Sequence, residues 1–379
     1  MLSFISLFFL VFDLKVVGPI GSSFITLIIC GILLILKGKT KFNFIYEFRI
    51  FLFSYFLIFL FVLIRTLLSF DTDLSYLLTT LKTTEILIAT FLYLLVFFDQ
   101  KIIGRLFNVF LLNSLICVFF GYFSDLKPYF IYPFKFSSGA TIELIGSNEY
   151  RDSFLSGSGY FGISSLYAFA FPLFVSYVND NKGFFNYVKL FFIGSAGILA
   201  GRVALIAYSI AIFSYSLFYR KIKFILIVSF FCLIAIILLN SLTFLNDVNN
   251  WLLDIFGAGN YKDSSSLTEL KEMFFLPNDN SLLIGDAKYA NVDGTYYGNT
   301  DVGYIRNILF GGLVYLFFIF LALLTFFLKF RKNFTLIMMI IIALFLHGKG
   351  VFILNNPGFF PVLLIGASYY IYLQKYKGD

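Results

Sequence analysis

The sequence predicts an all-α polytopic membrane protein of about twelve transmembrane helices with two long loops on one face. Composition, hydropathy and the placement of charge lead there. Of 379 residues, 60% are hydrophobic and 13% charged, and the mean hydropathy is +0.91. No soluble core of this length hides so much apolar surface. The abundant Phe (55) suits lipid-facing and packing positions, and the Tyr (25) gather near segment ends as interfacial belts.

Taken in order, the apolar segments fall at about 2–12, 18–36, 48–68, 84–98, 103–123, 161–178, 188–200, 203–219, 222–240, 305–328, 334–346 and 351–373. Met1–Phe12 has no basic n-region and no small-residue cleavage site, so it reads as a short first helix and not a removable signal. Alternate connections carry the basic clusters Lys37/Lys39/Lys41/Arg49, Lys101/Arg105, Lys182/Lys189, Arg220/Lys221/Lys223, Lys329/Arg331/Lys332 and Lys375/Lys377. The same side holds only Glu47, Asp99, Asp180 and Asp379 of the 21 acidic residues. By the positive-inside rule that side is cytoplasmic and holds both termini.

The opposite side carries two long loops, 124–160 and 241–304, with shorter turns at Phe70–Thr83, Ala200–Arg202 and His347–Gly350. No internal repeat or linker marks a second domain, so one membrane domain, 1–379, is expected. The net charge of +7 is scattered among loops, which argues topology and no nucleic-acid partner. Cys30, Cys117 and Cys232 lie apart in apolar runs, and there is one His, so disulfides and metal sites lose their usual ligands. There is no GxSxG, Walker loop or HExxH.

The remaining chemistry lies in the outer cations. Arg151, Arg202, Arg306 and Lys349 each stand at or near the start of an inward-running helix, where unpaired N–H groups and the dipole favour an anion. The alternative for each is an interfacial cation snorkelling to headgroups. Only 37 residues separate Lys182 from Arg220, fewer than two spans of about 20 plus a turn, so Gly201–Arg202 turns below the outer surface. An arginine there is a functional candidate. In 282–313, Asn299, Thr300 and Asp301 are expected helix caps, Arg306 lies just inside the helix, and Gly311–Gly312 admits close packing. His347 is a candidate general base, with an interfacial structural role as the alternative.

Three stretches in one order, RDSFLSGSGYFG (151–162), GILAGRVALI (197–206) and IGDAKYANVDGTYYGNTDVGYIRNILFGGL (284–313), resemble the bacterial O-antigen polymerase (Wzy) family, with HGKG (347–350) a weaker echo. The resemblance implies a glycosyltransferase-C-like membrane fold with two long periplasmic loops, in the bacterial inner membrane. It implies a metal-independent glycosyltransferase without cofactors, passing a growing undecaprenyl-diphosphate-linked glycan onto a lipid-linked repeat unit, alongside membrane lipid and a chain-length regulator protein. On this reading Arg202 and Arg306 hold the donor diphosphate, supported by Arg151 and Lys349. Asp301 or His347 deprotonates the acceptor, and Tyr296, Tyr297 and Tyr304 stack on sugars. An O-antigen ligase and a lipid-linked oligosaccharide flippase are the rival readings.

Overall fold

In lipid every backbone N–H and C=O must be paired within the chain, so long apolar runs become helices. The structure, a computed structural model, is accordingly mostly helical, and it describes residues 1–37, 44–69, 73–136, 150–219, 272–291 and 295–377. The main helices are α1 (Leu2–Phe12), α2 (Ser22–Lys37), α3 (Arg49–Leu67), α4 (Ser75–Phe97), α5 (Ile102–Tyr122), α6 (Tyr160–Asp180), α7 (Phe184–Ala200), α8 (Val203–Tyr219), α9 (Gly303–Phe330), α10 (Phe334–His347) and α11 (Phe359–Lys377). Five of these, α3, α4, α5, α6 and α9, are long and apolar enough to cross a membrane. The chain is a membrane-embedded helical protein. A two-stranded ribbon, Lys15–Val17 with Ile20–Gly21, precedes α2. The expected segment at 222–240, most of the loop 241–304, and Cys232 lie outside the described residues.

The chain divides into two compact units, each made of two separate stretches: Met1–Ser22 with Lys101–Ser265, and Ser23–Gln100 with Ser266–Asp379. A domain interleaved in this way leaves no linker for the sequence to reveal.

In the first unit α6 is the central helix, with 83% of its apolar window buried. It packs against α7 and α8. Tyr167 on α6 is fully buried and satisfies its hydroxyl on Phe110 O at 3.1 Å and Ser114 Oγ at 3.2 Å. Helix α7 spans 17 residues, about 25 Å at 1.5 Å per residue. That is short of a hydrocarbon core of about 30 Å.

In the second unit α3 lies along α9, with Phe61 stacked on Tyr315 at 5.5 Å and Phe51 edge-on to Phe326 at 5.7 Å. Two sequence boundaries are corrected here. Helix α4 starts at Ser75, not near 84, so most of the expected turn Phe70–Thr83 is helical. Thr79, Thr80, Thr83 and Thr84 return their hydroxyls to the carbonyls four residues back, at 2.7–2.8 Å, which lets a polar-looking stretch remain helical. Helix α11 starts at Phe359, not 351, because the chain turns through Leu354 at φ 67°. Connections assigned to one side meet at one end, where Glu47 pairs with Lys329 (2.9 Å) and Lys375 (2.5 Å).

Helix α9 breaks at Gly312 (φ 67°, ψ −169°). The carbonyls of Leu309 and Phe310 lose their i+4 donors there and accept instead from Asp286 N (2.6 Å) and Ala287 N (3.0 Å). This is the close packing that Gly311–Gly312 admits: a Cβ on Gly312 would strike the Leu283 carbonyl, and one on Gly285 (φ 77°) would lie 2.5 Å from Gly311 N. The short helix Asp279–Leu283, capped by Asn278 Oδ1 on Ser281 N, delivers this loop to the break.

Gly312→Ala is expected to destabilise the protein by about 1–3 kcal/mol, the cost of a side chain in a conformation reserved for glycine. Thermal unfolding of the detergent-solubilised variant checks this.

Candidate functional site

The second unit gathers most of the expected residues at the end opposite Glu47. Arg306 lies in the first turn of α9, 6% exposed. Its guanidinium is held between two rings, 4.0 Å from the Tyr289 centroid and 3.7 Å from that of Tyr296. Nη2 lies 3.5 Å from Tyr289 O, at the edge of hydrogen-bond range, and Nε has no hydrogen-bond partner. Among the described residues no carboxylate pairs with it. Two aromatic faces stabilise the cation without using its in-plane donors, which remain suited to a two-pronged contact with an oxyanion.

Sequence reasoning missed Tyr289, whose backbone and side chain are both held. Tyr289 N and Ala290 N donate to Asp73 Oδ2 at 2.7 and 2.9 Å, and Asn355 Nδ2 donates to the phenol at 2.9 Å. Burial pushes this phenol up to about 12, against the opposing pull of Arg306. Burial would raise the Asp73 carboxyl, but donors from the Ser75 side chain and from three backbone N–H groups outweigh it and hold the group below its usual range.

Tyr296 is 47% exposed and covers the outer face of Arg306. Tyr297 donates to Asp286 Oδ2 at 3.1 Å, and the other carboxylate oxygen accepts from Ser281 Oγ at 2.5 Å. Tyr304 donates to Leu344 O at 2.7 Å and meets the His347 ring edge-on at 4.9 Å, so its ring and hydroxyl serve packing. The expected caps are corrected: Val302 is the N-cap, without a side-chain cap bond, and the Thr300 hydroxyl accepts from Val302 N at 3.1 Å. Asp301 is exposed. Lys349 is exposed in the turn after α10.

His347 is placed differently from a general base. It is fully buried, and Nδ1 accepts from Phe352 N and Ile353 N, both at 3.2 Å, while Nε2 lies 2.8 Å from Asn307 Nδ2. An Nδ1 that accepts leaves the ring proton of the neutral imidazole on Nε2, so the Asn307 amide presents its oxygen to the ring. Asn307 continues to Tyr76, whose hydroxyl meets that of Tyr315 at 2.7 Å. With both nitrogens engaged, His347 ties the entrance of α11 to α9.

In the first unit α6 collects the other cations. Arg151 stacks on Tyr160 at 3.7 Å. One turn further along α6, Ser164 Oγ donates to Gly201 O at 2.8 Å. Residues four apart share a helix face, so Tyr160, which carries Arg151, and Ser164, bonded next to Arg202, lie on one face of α6. Burial lowers the Arg151 guanidinium, Tyr160 and Asp152 oppose this, and neighbouring Arg202 lowers it further. The loop carrying Arg151 is pinned by Leu155 N on Asn113 Oδ1 (3.0 Å) and Gly157 N on Phe12 O (3.0 Å). Two buried lysines, Lys127 and Lys135, were also missed. Burial brings Lys135 down to about 8, with Asp152 opposing.

Compared with protein-family models, curated proteins and solved structures, the chain matches none.

His347→Ala leaves the Phe352 and Ile353 amides and the Asn307 side chain without their buried partner. It is expected to lower stability by about 2–5 kcal/mol, read as a fall in unfolding temperature, and to remove no ionisation near neutral pH from the pH–rate profile.

Proposed function

We propose that the chain is an O-antigen polymerase of the bacterial inner membrane, of about twelve spans with both termini cytoplasmic and its long loops periplasmic. It is then a glycosyltransferase without metal or cofactor, with undecaprenyl-diphosphate-linked oligosaccharides as donor and acceptor and a chain-length regulator as a further partner. The observation that carries this reading is Arg306, a buried guanidinium whose faces are covered by Tyr289 and Tyr296 and which pairs with no carboxylate among the described residues. A reaction that expels a lipid diphosphate develops negative charge on the leaving oxygen, and a fixed, desolvated donor fork is the group that stabilises it.

The family resemblance assigns Arg306 and Arg202 to the donor diphosphate, with Arg151 and Lys349 in support. The acceptor hydroxyl attacks the anomeric carbon of the donor glycan, the glycan–phosphate C–O bond breaks, and undecaprenyl diphosphate leaves. The exposed Asp301 takes the hydroxyl proton, Tyr296 offers its outer face to a sugar, and Lys349 flanks the site. His347 is left out of the proton transfer because both its nitrogens are engaged.

Deletion of the gene tests the class. Core bearing a single repeat unit supports a polymerase, whereas bare core points to a ligase or flippase. With a defined lipid-linked repeat, Arg306→Ala is expected to lower kcat about a hundredfold and Arg306→Lys to recover little. Arg202→Ala is expected to abolish polymerisation while the protein still inserts. Since Asp301 caps nothing, Asp301→Asn and Asp301→Ala should lose activity equally, by at least about a hundredfold; normal turnover in both ends its role as base. Elongation should proceed in chelator as in magnesium.

A further inference from the structure

We propose that Asp73 and Arg65, charged side chains at the two ends of the α3–α4 turn, are positioning residues that hold the backbone at Gly285 and at Tyr289–Ala290 so that Tyr289 and Tyr296 clasp Arg306. The proposal rests on the reading of Arg306 as a diphosphate-binding group.

Neither residue touches Arg306, and they do not pair with each other. Each instead takes the backbone group its charge suits. Arg65 Nη2 donates to Gly285 O at 2.6 Å. Asp73 Oδ2 accepts from Tyr289 N and Ala290 N at 2.7 and 2.9 Å. Asp73 is itself set by Ser75, whose N and Oγ donate to Oδ1 at 2.9 and 2.5 Å. Between these anchors, Asp286 and Ala287 are fastened to α9 at its break. Tyr289 is therefore held at its backbone by Asp73 and at its hydroxyl by Asn355, which fixes the ring 4.0 Å from the guanidinium. The second ring depends on the same point, because Tyr296 forms an antiparallel bridge with Ala290. A flexible loop would leave the rings free to turn away and the guanidinium free to change rotamer. Charge-assisted contacts to three backbone groups remove that freedom before any ligand arrives.

The test uses purified full-length protein in detergent, with undecaprenyl diphosphate as the ligand. Trypsin cleavage after Lys288, which lies next to Tyr289 and is half-buried, reports release of the loop. Asp73→Ala is expected to raise that cleavage about tenfold and to weaken diphosphate binding about tenfold. On an Arg306→Ala background it should weaken binding no further, because the residue acts through Arg306. Asp73→Asn, which keeps an acceptor oxygen, should recover most of both effects. If Asp73→Ala fails to fold, Arg65→Gln, which also removes an anchor, is expected to show the same pair of changes in weaker form. Unchanged cleavage, or a binding loss that adds in full to that of Arg306→Ala, overturns the positioning role. A wild-type protein that does not bind the diphosphate, or an Arg306→Ala variant that binds it normally, overturns the functional reading instead, and the cleavage arm still decides whether Asp73 holds the loop.

Discussion

Two hydrogen bonds organise one end of the second unit: Asp286 N to Leu309 O and Ala287 N to Phe310 O. A helix interrupted inside an apolar environment leaves carbonyls that nothing in lipid can satisfy. At Gly312 the interruption is tolerated because the loop before α9 supplies the missing donors. The same loop carries Tyr289 and Tyr296 onto Arg306, which lies one turn before the carbonyls that hold it. Satisfying the broken helix and building the cation's enclosure are thus one structural event. Gly285 and Gly312 are needed at the contact because their conformations and the backbone proximity exclude a side chain.

The first unit solves a similar problem without a broken helix. Its short α7–α8 hairpin is anchored by Ser164, and its Arg151 loop by Asn113 and by the end of α1. Tyr160 and Ser164, one turn apart on α6, hold the Arg151 side chain of the long loop and the Gly201 carbonyl of the tight turn. In both units an aromatic ring covers a guanidinium face, which lowers the cost of burying charge and leaves the edge donors for an anion.

The polar chain His347–Asn307–Tyr76–Tyr315 shows why residue type alone misleads. A single histidine next to Gly-Lys-Gly near a membrane surface has the composition of a catalytic group. Its surroundings give it two amide donors and an Asn, which use its full hydrogen-bonding capacity. Asp301 shows the reverse, since a residue with good capping chemistry is left exposed when the helix begins two residues later.

Composition and hydropathy alone determined that this chain is a helical membrane protein, because the excess of apolar surface has no other stable home. They also located α1, α3, α5, α6, α7, α8, α9 and α10 to within a few residues, since each is bounded by charge or by Gly. The start of α4 was not legible, because its threonines satisfy themselves through backbone bonds that composition does not reveal. Arg306 and Arg202 stood out in the sequence as costly charges near apolar segments. Tyr289, Asp73, Arg65 and Asn355 did not. Their roles arise from contacts such as Asp73 with Tyr289 and Arg65 with Gly285, between residues more than 200 positions apart, and only tertiary packing decides which distant backbone groups a carboxylate or guanidinium meets.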